Sequence, residues 1–188
     1  MRLHGKKYKT RKLKVSEVLL LLLLTFFMLS SCNKDDNNCQ GIECLPPATQ
    51  TGAGTFGCLV NGVPYVDNSG FFNCFYQLVD GEYYFGITGS RAGNDYVQID
   101  IGSIKAELSE GDILLLERED NKFYAFLSFN CICPQGKTTS DQPGTLKVTK
   151  FDIQNKIVSA TFEFTVINPN TGAVYEITDG RFDTYFTQ

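Results

Sequence analysis

Val158-Ser159-Ala160-Thr161-Phe162-Glu163-Phe164-Thr165-Val166 places Val158, Ala160, Phe162, Phe164 and Val166 on one face of an extended chain. Ser159, Thr161, Glu163 and Thr165 fall on the other. Apolar against polar at a period of two is the pattern of a half-buried antiparallel strand. It recurs outward: Val97, Ile99 and Ile101 alternate with Tyr96, Gln98 and Asp100. Phe71 to Val79 and Tyr83 to Thr88 flank Asp80-Gly81, whose tolerance of positive φ suits a tight hairpin turn. Lys122 to Phe129 is apolar on both faces, which predicts a central strand covered on both sides. Ser90 to Asn94, Asp152 to Asn155 and Asn168 to Gly172 are turn clusters. Ile104 to Leu116 reads as a loop with a strand from Ile113, because Gly111 and its β-branched neighbours disfavour a helix. The expectation is an all-β domain of about nine or ten strands, an antiparallel sandwich or an open barrel.

The charge is unevenly spread along the 188 residues. Seven of the 17 basic residues (Arg2, Lys6, Lys7, Lys9, Arg11, Lys12, Lys14) lie in the first 14 positions, and Glu17 is the only acid before Asp35. An apolar run, Val18 to Leu29, follows with Thr25 as its only polar member, and then come Ser30, Ser31 and Cys32. As a helix that run would span roughly 18 Å, short of the ~30 Å of bilayer hydrocarbon, so residues 1–31 read as a signal peptide. From Cys32 onward 10 basic and 20 acidic residues remain, a net charge near −10, and the only histidine, His4, is lost. Without histidine a Ser-His-Asp or Cys-His mechanism and a His-ligated metal site are excluded. The negative charge excludes ordinary nucleic-acid binding, which needs Lys and Arg against phosphates. Residues 32–54, rich in Asn, Asp, Gln, Thr, Gly and Pro, read as a flexible polar tether in which Leu45-Pro46-Pro47 fixes a short extended piece. Residues 55–188 read as one domain.

Three segments carry resemblances. Leu29-Ser30-Ser31-Cys32 resembles the bacterial lipobox. It implies that Cys32 is lipidated and becomes the first residue after cleavage, with several acyl chains holding the protein on the outer membrane. Asn33-Lys34-Asp35-Asp36 resembles the export signal of Bacteroidota lipoproteins, a Lys and two acids behind the lipidated Cys. It implies that Lys34, Asp35 and Asp36 direct the protein to the cell exterior. The third spans Leu45 to the C-terminus. Leu45-Pro46-Pro47-Ala48-Thr49-Gln50-Thr51-Gly52, Thr55-Phe56-Gly57-Cys58-Leu59-Val60-Asn61-Gly62, the Val158 strand and Thr178-Asp179-Gly180-Arg181-Phe182-Asp183 resemble an uncharacterised family of Bacteroidota surface lipoproteins. The family implies an antiparallel β domain on a lipid tether, with Ala160 standing where its pattern has Gly. It implies no activity, and no functional residue beyond Cys32.

Candidate chemistry is sparse. Glu117-Arg118-Glu119-Asp120-Asn121 is the densest acidic cluster, but it lacks the alternating oxygens and Gly of an EF-hand loop and reads as a solvated hairpin tip. Asp152 and Asp183, each after a Phe, read as turn-forming acids. Tyr76, Tyr83, Tyr84, Tyr96, Tyr124, Tyr175 and Tyr185 are either a stacking platform for sugars or the bulk of a core that has no Trp. No Gly-x-Ser-x-Gly or Ser-x-x-Lys motif is present. The expected function is therefore a non-enzymatic envelope module that binds a glycan, an envelope protein or another surface component, with no catalytic, cofactor or metal residues. A secreted hydrolase using a carboxylate pair is the alternative.

With Cys32 acylated, six cysteines are left in an oxidising compartment, which favours disulfides. Cys58 and Cys74 are equidistant from Val66, and would face each other if Thr55–Val66 and Phe71–Val79 formed one hairpin. Cys39 and Cys44 can close a small loop in the tether. Cys131 and Cys133 are the residual pair. A zinc site is the alternative use of these thiols, but paired Cys-x-x-Cys spacings are missing.

Overall fold

The computed structural model describes residues 39–70, 72–91, 97–119, 121–129 and 135–188. Cys39–Gln188 forms one compact unit. It holds a 3₁₀ turn at Gly41–Cys44 and eleven strands: β1 Thr55–Val60, β2 Val63–Val66, β3 Asn73–Val79, β4 Glu82–Arg91, β5 Val97–Ile104, β6 Ile113–Leu116, β7 Lys122–Phe129, β8 Gln135–Lys137, β9 Gly144–Asp152, β10 Ile157–Ile167 and β11 Val174–Tyr185. They make one sheet in the order β2-β1-β11-β10-β9-β6-β7-β5-β4-β3, with β8 on β7. All pairings are antiparallel except β6 with β7, which are parallel at Leu116 and Phe123. The all-β expectation holds, and the sheet does not close into a barrel.

The sheet bends over so that its two halves share a core. Phe85 of β4 lies 6.2 Å from Phe182 of β11, which in turn packs with Phe56 and Phe162. Phenylalanine thus supplies the bulk of a core without Trp. At the bend's open end the Tyr65 hydroxyl donates to the Gly89 carbonyl at 2.8 Å. The residues after β11 return to β3, where Tyr76 N–H donates to the Thr187 carbonyl at 2.8 Å.

Several expected elements are found where the pattern put them. The Asp80-Gly81 turn joins β3 to β4 with φ of 52° and 84°. β7 is interior to the sheet, and residues 105–112 form the loop before β6. Asp152 closes its turn by accepting from Gln154 N and Asn155 N at 3.1 and 2.9 Å.

Three expectations are corrected. Thr55–Val66 is not one strand: Asn61 and Gly62 take φ of 49° and 78° and fold β2 back on β1. β1 then pairs with β11, and β3 pairs with β4, so Cys58 and Cys74 are not hairpin partners. Both are buried free thiols. Glu117–Asn121 is no hairpin tip, because the strands it joins run parallel. Finally, the segment before β1 is not all tether, since residues from Leu45 onward pack against the sheet.

Candidate functional site

Three places on the molecule bring polar or aromatic side chains together. The first is a strap, residues 45–53, laid over the outer face of β1 and β11. Leu45 is buried, and the Pro46 ring lies where a side chain on Gly57 would stand, 2.7 Å from its Cβ position. Gly52 (φ 75°) crosses the Tyr185 ring at the same closeness, which only glycine allows. The strap ends on Asp183. This carboxylate accepts hydrogen bonds from Thr49 Oγ1 (2.6 Å), Thr51 N (2.9 Å), Gly52 N (2.8 Å), Ala53 N (3.2 Å) and Ser159 Oγ (2.8 Å). Burial alone would raise its pKa, but the donors from Thr49, Thr51, Ser159 and Gly52 outweigh it and hold the group well below the ordinary carboxylate range. Asp183 is therefore a clasp inside β11, not a turn-forming acid.

The second place is a groove of about 490 Å³ on the outer face of β9, β10 and β11. Registers align Ile113, Lys147, Thr161 and Arg181 across four strands, and Ala48 of the strap forms a wall. Glu163 and Asp179 line it too, and Glu163 also lines a neighbouring depression with Glu176. These three acids are exposed.

The third place is the outer face of β3, β4, β5 and β7. One register row reads Phe75, Gly86, Gly102, Tyr124; the next reads Asn73, Thr88, Asp100, Phe126 and, on β8, Lys137. A Cβ on Gly86 would sit 2.4 Å from the Phe75 ring, and one on Gly102 would sit 2.6 Å from the Tyr124 hydroxyl. The Phe75 ring therefore leans over Gly86 of the neighbouring strand, and the hydroxyl end of Tyr124 reaches over Gly102. Glycine in a strand interior weakens it, and here it makes room for a ring. Beside this floor, Asp100 accepts from Thr88 Oγ1 at 2.6 Å and from Gln98 Nε2 at 2.9 Å. Phe126 stacks on Tyr124 at 4.7 Å between centroids. The Arg118 guanidinium and the Lys137 ammonium approach the Phe126 ring to 4.9 and 5.7 Å. Burial raises the Tyr124 pKa, Asp100 adds to the rise, and Arg118 opposes it.

The sequence candidates scatter across these places. Of the tyrosines, Tyr84 and Tyr124 share the aromatic face, whereas Tyr76 and Tyr83 stack on each other at 4.8 Å with Tyr76 buried in the core. Tyr175 packs on Phe129, Tyr185 lies under the strap, and Tyr96 lies outside the described residues. Phe75, Phe126, Gly86 and Gly102 were not singled out from sequence; a glycine inside each of two adjacent strands was the available signal. Cys39 and Cys44 form a disulfide with Cα atoms 5.5 Å apart. Burial pushes the Cys58 thiol up to about 12 and raises Cys74 likewise. Cys32, Lys34, Asp35, Asp36, Cys131 and Cys133 lie outside the described residues. Among the described residues no three His, Cys, Asp or Glu side chains are grouped to hold a metal ion.

No family model, curated protein or solved structure matches this chain.

Proposed function

We propose that this chain is a lipid-anchored envelope protein, facing the cell exterior, whose β domain is a non-enzymatic binding module. The observation that carries the reading is the aromatic face. The Phe75 ring leans over Gly86 and the Tyr124 hydroxyl end reaches over Gly102, on an outer face where both rings stay partly exposed. Partly exposed rings bordered by Asp100, Thr88 and Gln98 suit a ligand laid along the sheet, such as a glycan chain. The hydrolase alternative draws less support, because the groove carboxylates are exposed and the buried one, Asp183, is saturated by hydrogen bonds. The lipobox and the Lys34-Asp35-Asp36 segment support the anchor and its outward address.

Two measurements test this. The full chain in detergent, applied to a glycan array, should retain ligands that Tyr124→Ala and Phe75→Ala lose, and eluted ligands should keep their length. Shortened ligands would show an enzyme. In cells, Cys32→Ala should abolish membrane fractionation, and proteinase added to intact cells should degrade the wild type. A Cys32→Ala protein that keeps an acyl label, or a wild type protected from proteinase, overturns the address.

A further inference from the structure

We infer that the aromatic face takes a saccharide bearing carboxylate groups, a uronate-containing polymer; this rests on the binding-module reading above and names its ligand class. The argument begins with charge. The chain from Cys32 onward carries about twice as many acids as bases, yet two of its ten cations converge on one ring of this face. Arg118 and Lys137 both sit over Phe126, and among the described residues neither forms an ion pair. The other cation nearby, Lys122, is bound by Glu117 at 2.7 Å. Two unpaired cations held 4.9 and 5.7 Å from a ring centroid are positioned by the ring and remain open to an anion on their outer side. The guanidinium fork of Arg118 matches a carboxylate in particular.

Charge alone would admit any polyanion, and the rest of the face narrows the choice. Asp100 stands beside Phe126 in the same register row, fixed by Thr88 and Gln98. A bare polyanion is repelled there. A sugar offers hydroxyl donors to that carboxylate while its own carboxylate reaches Arg118 and Lys137. The partly exposed Phe75, Tyr124 and Phe126 rings offer π surface, whose negative potential suits the C–H groups of a pyranose. The groove on β9–β11 is the weaker candidate, because Lys147 and Arg181 there are interspersed with Glu163 and Asp179, and the one ring that lines it, Phe162, is buried in the core.

The test is biolayer interferometry of the full chain in detergent against immobilised polygalacturonate, alginate and hyaluronan. Fully methyl-esterified polygalacturonate and polyglutamate serve as comparators. Binding is expected to at least one uronate polymer, roughly tenfold weaker or more after esterification, and weaker again to polyglutamate. Arg118→Gln with Lys137→Gln should lower affinity by roughly tenfold or more with unchanged thermal melting, and Tyr124→Ala should lower it by a similar factor in protein that still melts cooperatively. Lys147→Gln with Arg181→Gln, on the other half of the sheet, should leave it unchanged. Equal retention on polyglutamate, insensitivity to Arg118 and Lys137, or no retention on any uronate polymer overturns the inference. Retention of a neutral glycan that Tyr124→Ala abolishes would overturn the acidic ligand and keep the binding module. Shortening of a bound polymer would overturn the module reading instead.

Discussion

Asp183 and Asp100 are both acids on a strand, and each accepts from a threonine hydroxyl at 2.6 Å, yet they do opposite work. The donors of Asp183 include backbone N–H groups of Thr51, Gly52 and Ala53, from 130 to 132 residues away in sequence. Those donors have nowhere else to go once the strap is down. Asp100 is held by the adjacent strand and by Gln98, two residues before it, and stays partly open. The first acid closes the fold, and the second shapes a face. Polar groups in this protein are separable into those that complete the structure and those that stay partly exposed on a face.

The sharpest way to break the contrast is Asp183→Asn. It removes the charge and sets an amide N–H₂ against strap N–H donors, leaving buried donors unsatisfied at roughly 1–3 kcal/mol each. A loss of about 3 kcal/mol or more is expected, a fall in Tm of about 10 °C. Asp100→Asn should change Tm little. The pH dependence sharpens this. The Asp183 pKa is depressed in the folded state, so its stabilisation is complete above the unfolded value near 4 and is lost as pH falls below about 4. Melting scans from pH 5 down to 2.5 should show that acid-side slope in the wild type and a flatter one in Asp183→Asn. Equal slopes would remove the clasp from the account.

The glycines give a middle-sized effect. A Cβ on Gly144 would stand 2.4 Å from Phe164 Cβ and 2.7 Å from the Glu163 carbonyl, atoms fixed by the ladder. Gly144→Ala should cost roughly 1–3 kcal/mol. At Gly102 a Cβ would meet the far end of the Tyr124 side chain, which can swing away, and the Phe85 carbonyl at 3.0 Å, which must give by a few tenths of an ångström. Gly102→Ala should cost about 1 kcal/mol, less than Gly144→Ala, while lifting the ring and weakening ligand retention. A Gly102→Ala protein that melts as low as Gly144→Ala would mean the aromatic face is structural after all.

The smallest effect concerns the two core thiols. With the Cys58 pKa pushed up to about 12, about one thiol in ten thousand is ionised at pH 8, so maleimide should label Cys58 and Cys74 only in denaturant. Native labelling would show the thiols to be accessible, and a Cys58–Cys74 peptide in a non-reducing map would restore the hairpin pairing.

Local pattern made much of this fold readable. β10 announces itself through alternation, β7 through a run apolar on both faces, and the Asp80-Gly81 hairpin through its turn dipeptide. Asn61-Gly62 carried an equally strong hairpin signal, and reading through it misplaced Cys58 opposite Cys74. The strap was illegible for a different reason. It docks through hydroxyls, N–H groups and ring–glycine contacts, so it has no apolar period, and its acceptor lies some 130 residues downstream. The aromatic face was half legible: Tyr84 and Tyr124 stand out as residues, but only the register shows that Gly86 and Gly102 make room for Phe75 and Tyr124.

The distance between strap and clasp also sets a timetable. β1 pairs with β2 on one edge, but its other edge waits for β11, and the strap waits for Asp183. At about 5–20 residues per second, synthesis of that interval takes on the order of ten seconds. During that time the strap has no clasp to close on.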